Sequence, residues 1–393
     1  MKHYFNIRKA FMFMAKKDDL DYLFIVWGIP RSNSTGAVNS QIYSLANKLV
    51  ENNNKVGILY VSYDSVAKKF KMVKNDPQFR FKLILSNILY SRIASKLSLY
   101  LYKKKDGKVL NNYVRLYASG TKLPPLKAGK IITSYWWAVL LADEIYHKND
   151  IYLIVYHDYY NDIINSNREN LPALEKAYKS SHLILANQEL IKKFNGDYPL
   201  ITEGIDTEKF MCQGNRAKKV DSMILTPLRK NPLKGAEYAI AALKMIHNEF
   251  PEVKIVAYGD FHGNIPDFID FKHVIPDETL KEYYCKSSYF ILPSVIEGIP
   301  EPLLEAMAGG CACISTASGG PQQVINTDIN GILVPIKDPE SIFTAFKKLY
   351  QNRELAMSIM EHSIKTAGNF DLKRTYNDFI NAVNFYNNRQ DEK

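Results

Sequence analysis

The chain has 393 residues, of which 46% are hydrophobic and 23% are charged, and its formal net charge is +10 at pH 7. This length exceeds what one compact core holds, and the composition is too apolar for a disordered protein, so two globular domains are expected. Because no run of about 18 apolar residues occurs, the sequence predicts no helix that spans a membrane.

Short apolar runs rich in β-branched residues alternate with helix-length segments in the first half of the chain. These runs lie at residues 22–27, 56–62, 130–134, 151–156 and 182–186. Buried parallel strands joined by helices have this pattern. The first half therefore predicts a doubly wound α/β domain over residues 1–212.

The positive charge is concentrated in residues 66–108, which hold twelve Lys or Arg and two Asp and so match the excess of +10 in the whole chain. A localised anionic partner is expected, either a membrane or lipid phosphate or a nucleic acid. Residues 85–101 have the spacing of a basic amphipathic helix, which fits an anionic membrane surface or an ordinary helix packed on the sheet. Nucleic acid is less favoured, because no helix-turn-helix or interleaved aromatic motif is present.

A polar stretch at residues 213–221 interrupts the strand pattern, which resumes with four further apolar runs. These lie at residues 223–228, 253–258, 289–293 and 311–315. They predict a second α/β domain over residues 213–369, with its ligand site at the carboxyl ends of the strands, in a cleft between the domains. Residues 370–393 predict a terminal helix that packs back on the first domain.

The cysteine spacing matches neither a zinc site nor a disulfide framework. The four cysteines are Cys212, Cys285, Cys311 and Cys313. With no export signal predicted at the N-terminus, this favours a reduced, cytoplasmic setting. No metal site is predicted, since the acidic pair Asp19 and Asp21 precedes the first strand and is expected to lie away from the cleft.

The loop after the strand at residues 289–293 has the features of a phosphate site. Glu297 and Gly298 lie in this loop, and Pro302 stands where a helix carrying Glu305 is expected to begin. A helix N-terminus offers free N–H groups and a positive dipole end to a diphosphate, and Glu305 would then reach its sugar hydroxyls. Taken singly, each glutamate fits a structural role better, because the dipole alone favours acidic residues there.

The full pattern resembles the signature of retaining family 4 glycosyltransferases, the glycosyl transferases of group 1. Its parts are Pro293-Ser294, Glu297-Gly298, the run Pro-Leu-Leu-Glu-Ala-Met-Ala at 302–308, Gly319-Gly320 and Asn330-Gly331. Two glutamates separated by seven residues are its hallmark. The resemblance implies an α/β protein of the GT-B fold, with two Rossmann-like doubly wound parallel-sheet domains facing a cleft.

The resemblance implies a donor site in the second domain. Arg229 and Lys234, five residues apart as in the family, would neutralise the diphosphate, although such residues in a loop are usually only solvated. Glu305 would hold the nucleotide ribose, and Glu297 would orient the donor sugar. The remaining contacts would come from Gly298, Ile299 and Leu303.

The resemblance also implies two contacts from the first domain. Gly36 follows the first strand in a loop of small residues, although the usual paired glycine is reduced to one. His157 follows the strand at 151–156 and would contact the donor sugar, while a backbone contact at the strand end explains it equally well. Pro300-Glu301 and Pro321-Gln322 depart from the usual motif and leave the sugar undetermined.

The expected activity is retaining transfer, of the hexosyl type and without a metal, from a nucleotide-diphosphate sugar to a lipid-linked or cell-surface glycan. The donor is a co-substrate and no other cofactor is predicted. The protein is expected in the cytoplasm, as a peripheral protein on the inner face of the membrane. One alternative is an α-glucan synthase or phosphorylase, although the cofactor lysine motif of a phosphorylase is not found. The other is a non-catalytic sugar-nucleotide-binding or membrane-scaffold protein, which would be expected to lose charge at Arg229, Lys234 or Glu305, and none of these is lost.

Overall fold

The chain forms two compact units in a computed structural model. One unit comprises Met1–Ile201 with Tyr376–Lys393, and the other comprises Thr202–Thr375. The residues that the structure describes are 20–27, 37–61, 114–117, 128–145, 150–156, 158–166, 168–212, 220–273 and 275–391. Gly36, His157 and the basic segment 66–108 lie outside the described residues, so the predictions about them stay predictions.

The first unit contains a six-stranded parallel sheet in the order β3-β2-β1-β4-β5-β6. Its strands are β1 (Leu20–Trp27), β2 (Val56–Val61), β3 (Val114–Tyr117), β4 (Ala128–Thr133), β5 (Asp150–Val155) and β6 (His182–Leu185). The strand order reverses between β1 and β4, as in doubly wound folds.

Helices cover both faces of this sheet. They are α1 (Ala37–Glu51), α2 (Trp136–Ile145), α3 (Tyr159–Ser166), α4 (Leu171–Lys179) and α5 (Gln188–Phe194). Successive strand residues point to opposite faces. Leu23 and Ile25 therefore join a core with α2 and α4, whereas Phe24 and Val26 join a second core with α1. Burial on both faces explains the unbroken apolar strands.

The second unit contains another six-stranded parallel sheet, in the order β12-β11-β10-β7-β8-β9. Its strands are β7 (Val220–Pro227), β8 (Lys254–Tyr258), β9 (Ile269–Lys272), β10 (Ser287–Leu292), β11 (Ala312–Thr316) and β12 (Ile332–Val334). The order reverses between β7 and β10, so the carboxyl ends of these two strands mark the position where such sheets bind ligands.

Helices also flank the second sheet. They are α6 (Thr207–Phe210), α7 (Ala236–Glu249), α8 (Asp277–Lys286), α9 (Glu301–Ala308), α10 (Pro321–Val324), α11 (Pro339–Gln351) and α12 (Arg353–Gly368). One core joins β7 through Ile224 to α7 and α11, and the other joins β7 through Leu225 to α8 and α9. The short helix α9 is thereby held on the face of the sheet, next to the loop that precedes it.

The last helix, α13 (Leu372–Asp391), begins in the second unit and enters the first at Tyr376. Phe379 is fully buried in the core that contains Phe24, and Tyr386 donates a hydrogen bond of 2.6 Å to the Leu183 carbonyl. Apolar and hydrogen-bonding contacts therefore hold the end of the chain on the first sheet. Among the described helices, none is both long and apolar enough to cross a bilayer.

A disulfide joins Cys212 to Cys285, with 5.6 Å between their Cα atoms, while Cys311 and Cys313 are buried thiols outside this disulfide. The sequence-based prediction of no disulfide is wrong for this pair. The two cysteines are 73 residues apart and meet only because the end of α6 packs against α8, which no local spacing reveals. The cysteine pattern therefore no longer supports a reducing compartment.

Candidate functional site

The predicted residues of the second unit gather at the carboxyl edge of its sheet. Arg229 and Lys234 follow β7, Glu297 follows β10, and Glu305 lies in α9. Because β7 and β10 are neighbours at the reversal of strand order, their loops lie side by side. Residues far apart in sequence thus share one edge.

Lys234 and Glu297 form an ion pair within this edge. The Lys234 Nζ lies 2.7 Å from Glu297 Oε2, and the Ser294 hydroxyl donates to Glu297 Oε1 at 2.7 Å. Only 11% of the Glu297 side chain is exposed, so both carboxylate oxygens are held in one orientation. An ammonium has three N–H donors, and Lys234 can therefore hold Glu297 and still donate to a phosphate.

Two glycines allow the loops to pack backbone against backbone. Gly235 has φ of +68°, and a Cβ there would stand 2.0 Å from the Pro293 carbonyl oxygen. A Cβ on Gly320 would stand 1.8 Å from the Gly298 carbonyl oxygen. Neither distance is compatible with a side chain, so glycine is required at both positions.

The loop from Glu297 to Gly298 is fixed by its neighbour after β11. The Glu297 N–H donates to the Ser318 carbonyl at 2.8 Å, and the Gly320 N–H donates to the Glu297 carbonyl at 3.0 Å. Gly298 itself is exposed, and apart from Gly298 and its two chain neighbours, no atom in the described part of the chain lies within 4 Å of the position that its Cβ would take. The side of Gly298 on which a Cβ would stand thus borders open space just before α9 begins, while its carbonyl and the Ile299 nitrogen lie against Gly320.

Leu303 lies in the core and not at the loop surface. Its side chain is fully buried among the residues that hold α9 on the sheet, and its N–H donates to the Pro300 carbonyl at 3.0 Å. The residue therefore anchors the first turn of α9. That anchoring role can be read directly from the structure, whereas the predicted ligand contact stays a prediction.

Glu305 is held from behind by tyrosines that the sequence analysis missed. The Tyr284 hydroxyl donates to Glu305 Oε2 at 2.8 Å and lies 2.9 Å from the Tyr258 hydroxyl. Burial, reinforced by the Glu305 carboxylate, raises the pKa of both tyrosines, so both remain protonated. No local motif marks these residues, because they come from β8 and α8 and meet Glu305 only in the folded chain.

Arg229 and Lys234 have different neighbours. The half-buried Arg229 lies close enough to Tyr258 for its charge to oppose the raised pKa of that phenol, whereas Lys234 pairs with Glu297. Arg229 is thus on the β8 side of the edge and Lys234 on the β10 side. The predicted first-domain contacts, Gly36 and His157, are outside the described residues.

Residues 208–366 match the family described as glycosyl transferases group 1, and this range contains the site residues of the second unit discussed above. The amylovoran biosynthesis glycosyltransferase AmsK of Erwinia amylovora is 29% identical over 165 residues, which cover 38% of this chain and 40% of that protein. An Escherichia coli UDP-Gal:alpha-D-GlcNAc-diphosphoundecaprenol alpha-1,3-galactosyltransferase is 26% identical over 182 residues, covering 40% and 46%. The matched regions span less than half of these relatives.

Solved structures match nearly the whole chain. Anabaena Alr3699/HepE in complex with UDP has a TM-score of 0.65 at 12% identity and covers 93% of this chain and 100% of that one. Sucrose-phosphate synthase from Thermosynechococcus elongatus has a TM-score of 0.63 at 14% identity, covering 95% and 100%. The predicted GT-B fold is confirmed, as is the resemblance of residues 208–366 to glycosyl transferases of group 1.

Proposed function

We propose that the protein is a retaining glycosyltransferase that moves a hexosyl group from a nucleotide-diphosphate sugar to an acceptor hydroxyl. The observation that carries this proposal is the Lys234–Glu297 ion pair, 2.7 Å long and braced by Ser294, at the ligand-binding edge of the second sheet. This pair lies within the segment that matches the group 1 family.

In the proposed reaction, Arg229 and Lys234 stabilise the leaving group. The bond between the anomeric carbon and the diphosphate oxygen breaks, and its electron pair leaves with the nucleoside diphosphate. Two fixed cations at this edge offset the charge that develops, which is the work that a divalent metal does in other transferases. We therefore propose that transfer requires no metal and no cofactor apart from the donor.

The sugar and the nucleoside are held by different parts of the edge. Glu297, with its oxygens fixed by Lys234 and Ser294, accepts hydrogen bonds from sugar hydroxyls, while the backbone N–H groups of Gly298 and Ile299 donate to the donor. Glu305 accepts from the ribose. The acceptor oxygen then bonds to the anomeric carbon on the face that the diphosphate leaves, and its proton passes to a departing phosphate oxygen.

We propose that the acceptor is a lipid-linked or cell-surface glycan. The names of the relatives support this class, because one refers to amylovoran biosynthesis and the other to a diphosphoundecaprenol-linked sugar. The basic segment 66–108 would meet anionic headgroups at the cytoplasmic face of a membrane. Sedimentation with vesicles tests this point, since equal binding to anionic and zwitterionic vesicles would remove the membrane from the proposal.

The donor site is tested by calorimetric titration with nucleotide sugars and with UDP, ADP and GDP, in buffer that contains EDTA. We expect at least one nucleotide to bind. Lys234→Ala should reduce the affinity for that nucleotide by roughly tenfold or more. Lys347→Ala is the matched control, because Lys347 is equally exposed and pairs with Glu249 at 2.6 Å away from this edge. If none of the nucleoside diphosphates binds, the proposed site is wrong.

Turnover separates transfer from binding alone. The best-bound nucleotide sugar is incubated with lipid-linked glycan acceptors, and the configuration of the product at the anomeric carbon is read by NMR. An axial donor linkage that stays axial in the product supports retention. Tight binding without any transfer would favour a non-catalytic sugar-nucleotide-binding protein.

A further inference from the structure

Three polar side chains from three different elements meet behind the edge of the second sheet. Tyr258 ends β8, Tyr284 lies on α8 and Glu305 lies on α9. The Tyr258 and Tyr284 hydroxyls are 2.9 Å apart, and the Tyr284 hydroxyl is 2.8 Å from Glu305 Oε2. Two consecutive hydrogen bonds thus lead from the core of the unit to one carboxylate oxygen.

The direction of this chain follows from its chemistry. A phenol has one proton to donate, and an ionised carboxylate only accepts. Tyr284 therefore gives its proton to Glu305 and can only accept from Tyr258. Hydrogen bonds in a chain polarise one another, so the Tyr258 donor strengthens the bond from Tyr284 to the carboxylate.

Tyr284 cannot readily turn away from Glu305. Its side chain is fully buried, and its ring packs edge-on against Phe210 at 5.9 Å and Phe290 at 5.8 Å between centroids. The next residue along α8, Cys285, forms the disulfide with Cys212. A phenol held by aromatic packing and by an adjacent cross-link keeps its hydroxyl in one place.

We infer that Tyr284, supported by Tyr258, is a positioning residue that holds the Glu305 carboxylate in the orientation in which it accepts the ribose hydroxyls of a nucleoside diphosphate. This inference rests on the proposed function. A carboxylate that is already fixed loses less conformational freedom when the ribose binds, and this increases affinity for the nucleotide. Tyr284 need not touch the ligand for this effect.

The rival explanation is that the two hydroxyls only satisfy each other inside a core. A comparison of ligands separates the two, because only a positioning role depends on the ribose. The nucleoside diphosphate that binds most tightly among UDP, ADP and GDP is titrated together with its 2′,3′-dideoxy counterpart. The proteins are the wild type, Tyr284→Phe, Tyr258→Phe and Tyr350→Phe.

Tyr350→Phe is the matched control, since it also removes a hydrogen bond from a tyrosine to a glutamate, Glu252, away from the nucleotide edge. We expect Tyr284→Phe to reduce the affinity for the nucleoside diphosphate by roughly five- to tenfold. Its affinity for the dideoxy compound should fall by less than about twofold. Tyr258→Phe should show the same ribose-specific loss at about two- to threefold. The control should change neither affinity.

Kinetics give a second reading. A contact made equally in the ground state and the transition state changes KM and leaves kcat nearly unaltered. Tyr284→Phe should therefore raise the donor KM with little change in kcat. An equal loss of affinity for both ligands, or no loss for either, would overturn the positioning role. If Tyr284→Phe does not fold, the same comparison with Tyr258→Phe decides between the two explanations. Failure of the wild type to bind any nucleoside diphosphate would instead reject the proposed function.

Discussion

Glu203 is a carboxyl group that the fold keeps protonated at neutral pH. It lies in the second unit near Glu301, at the beginning of α9, and is half-buried. Burial, together with the Glu301 charge, raises the pKa of Glu203 from its ordinary value of 4.5 to about 8. Replacing Glu203 with Gln, which is neutral at every pH and has nearly the same shape, tests this directly.

The magnitude and sign follow from linkage. A shift of this size corresponds to a ceiling of about 5 kcal/mol, at roughly 1.4 kcal/mol for each pKa unit. Because water reaches one side of the group, we expect about half of that. The folded protein binds this proton more tightly than the unfolded chain, so ionising Glu203 lowers the stability of the fold. This loss of stability is absent below about pH 4.5. It grows as the pH rises and is complete above about pH 8.

The assay is denaturant unfolding, followed by tryptophan fluorescence, at several values between about pH 5 and pH 8.5. Glu203→Gln should match the wild type near pH 5 and exceed its stability by roughly 2 to 3 kcal/mol at the upper end. Glu208→Gln is the control, because Glu208 is an exposed partner of Lys373 and should give little change. Equal pH dependence in the wild type and Glu203→Gln would refute the reasoning.

The disulfide, a site glycine and the site cations give three further expectations. Replacing Cys212 with Ser opens a loop of 73 residues and should lower the free energy of unfolding by about 4 kcal/mol in non-reducing buffer, whereas an unfolding midpoint insensitive to dithiothreitol would contradict the cross-link. Gly320→Ala should push away the Gly298 carbonyl and lower the free energy of unfolding by roughly 2 kcal/mol, as measured by denaturant unfolding. Gly368→Ala is the control and should change stability less, because beyond its chain neighbours and its own helix no described atom lies within 4 Å of the added Cβ. Lys234→Ala should weaken nucleoside diphosphate binding in calorimetry more than Arg229→Ala does, because it also leaves Glu297 without its cation; equal losses would count against that pairing.

The central strands and the edge strand β6 could be predicted from sequence, whereas the other three edge strands could not. All nine apolar runs interpreted as strands form strands, because residues buried on both faces leave a continuous apolar pattern. The strands missed were β3, β9 and β12, which lie at edges of the two sheets and have three or four residues each. In β3 and β9 a polar residue follows the first apolar one, and β12 has only three residues, so their patterns are too weak to recognise. The edge strand β6 has three buried apolar residues in a row and could be recognised.

The candidate site divides in the same way. Lys234 and Glu297 belong to a local motif, and the structure brings them to 2.7 Å. Tyr258, Tyr284 and the disulfide partner Cys285 have no such motif, because their neighbours come from other strands and helices. Local patterns thus report the loops that a ligand touches, while the contacts that hold those loops arise from packing.

The carboxylates around α9 present an apparent conflict with an anionic ligand. Glu203, Glu297, Glu301 and Glu305 all lie at or near the start of this helix. Four negative charges there would oppose a diphosphate by direct repulsion. The structure reduces that repulsion at three of the four positions, by a different means at each position.

Glu203 is kept protonated by burial, Glu297 is paired with the Lys234 ammonium, and Glu305 accepts a hydrogen bond from the Tyr284 hydroxyl. With their charges neutralised or directed in this way, the carboxylates would accept hydrogen bonds from the sugar and ribose hydroxyls of the proposed donor without dominating the local field. In the proposed donor complex, the cations and the N-terminus of α9 would supply the attraction for the phosphates. It follows that loss of a neutralising partner should harm donor binding even when the carboxylate itself is untouched.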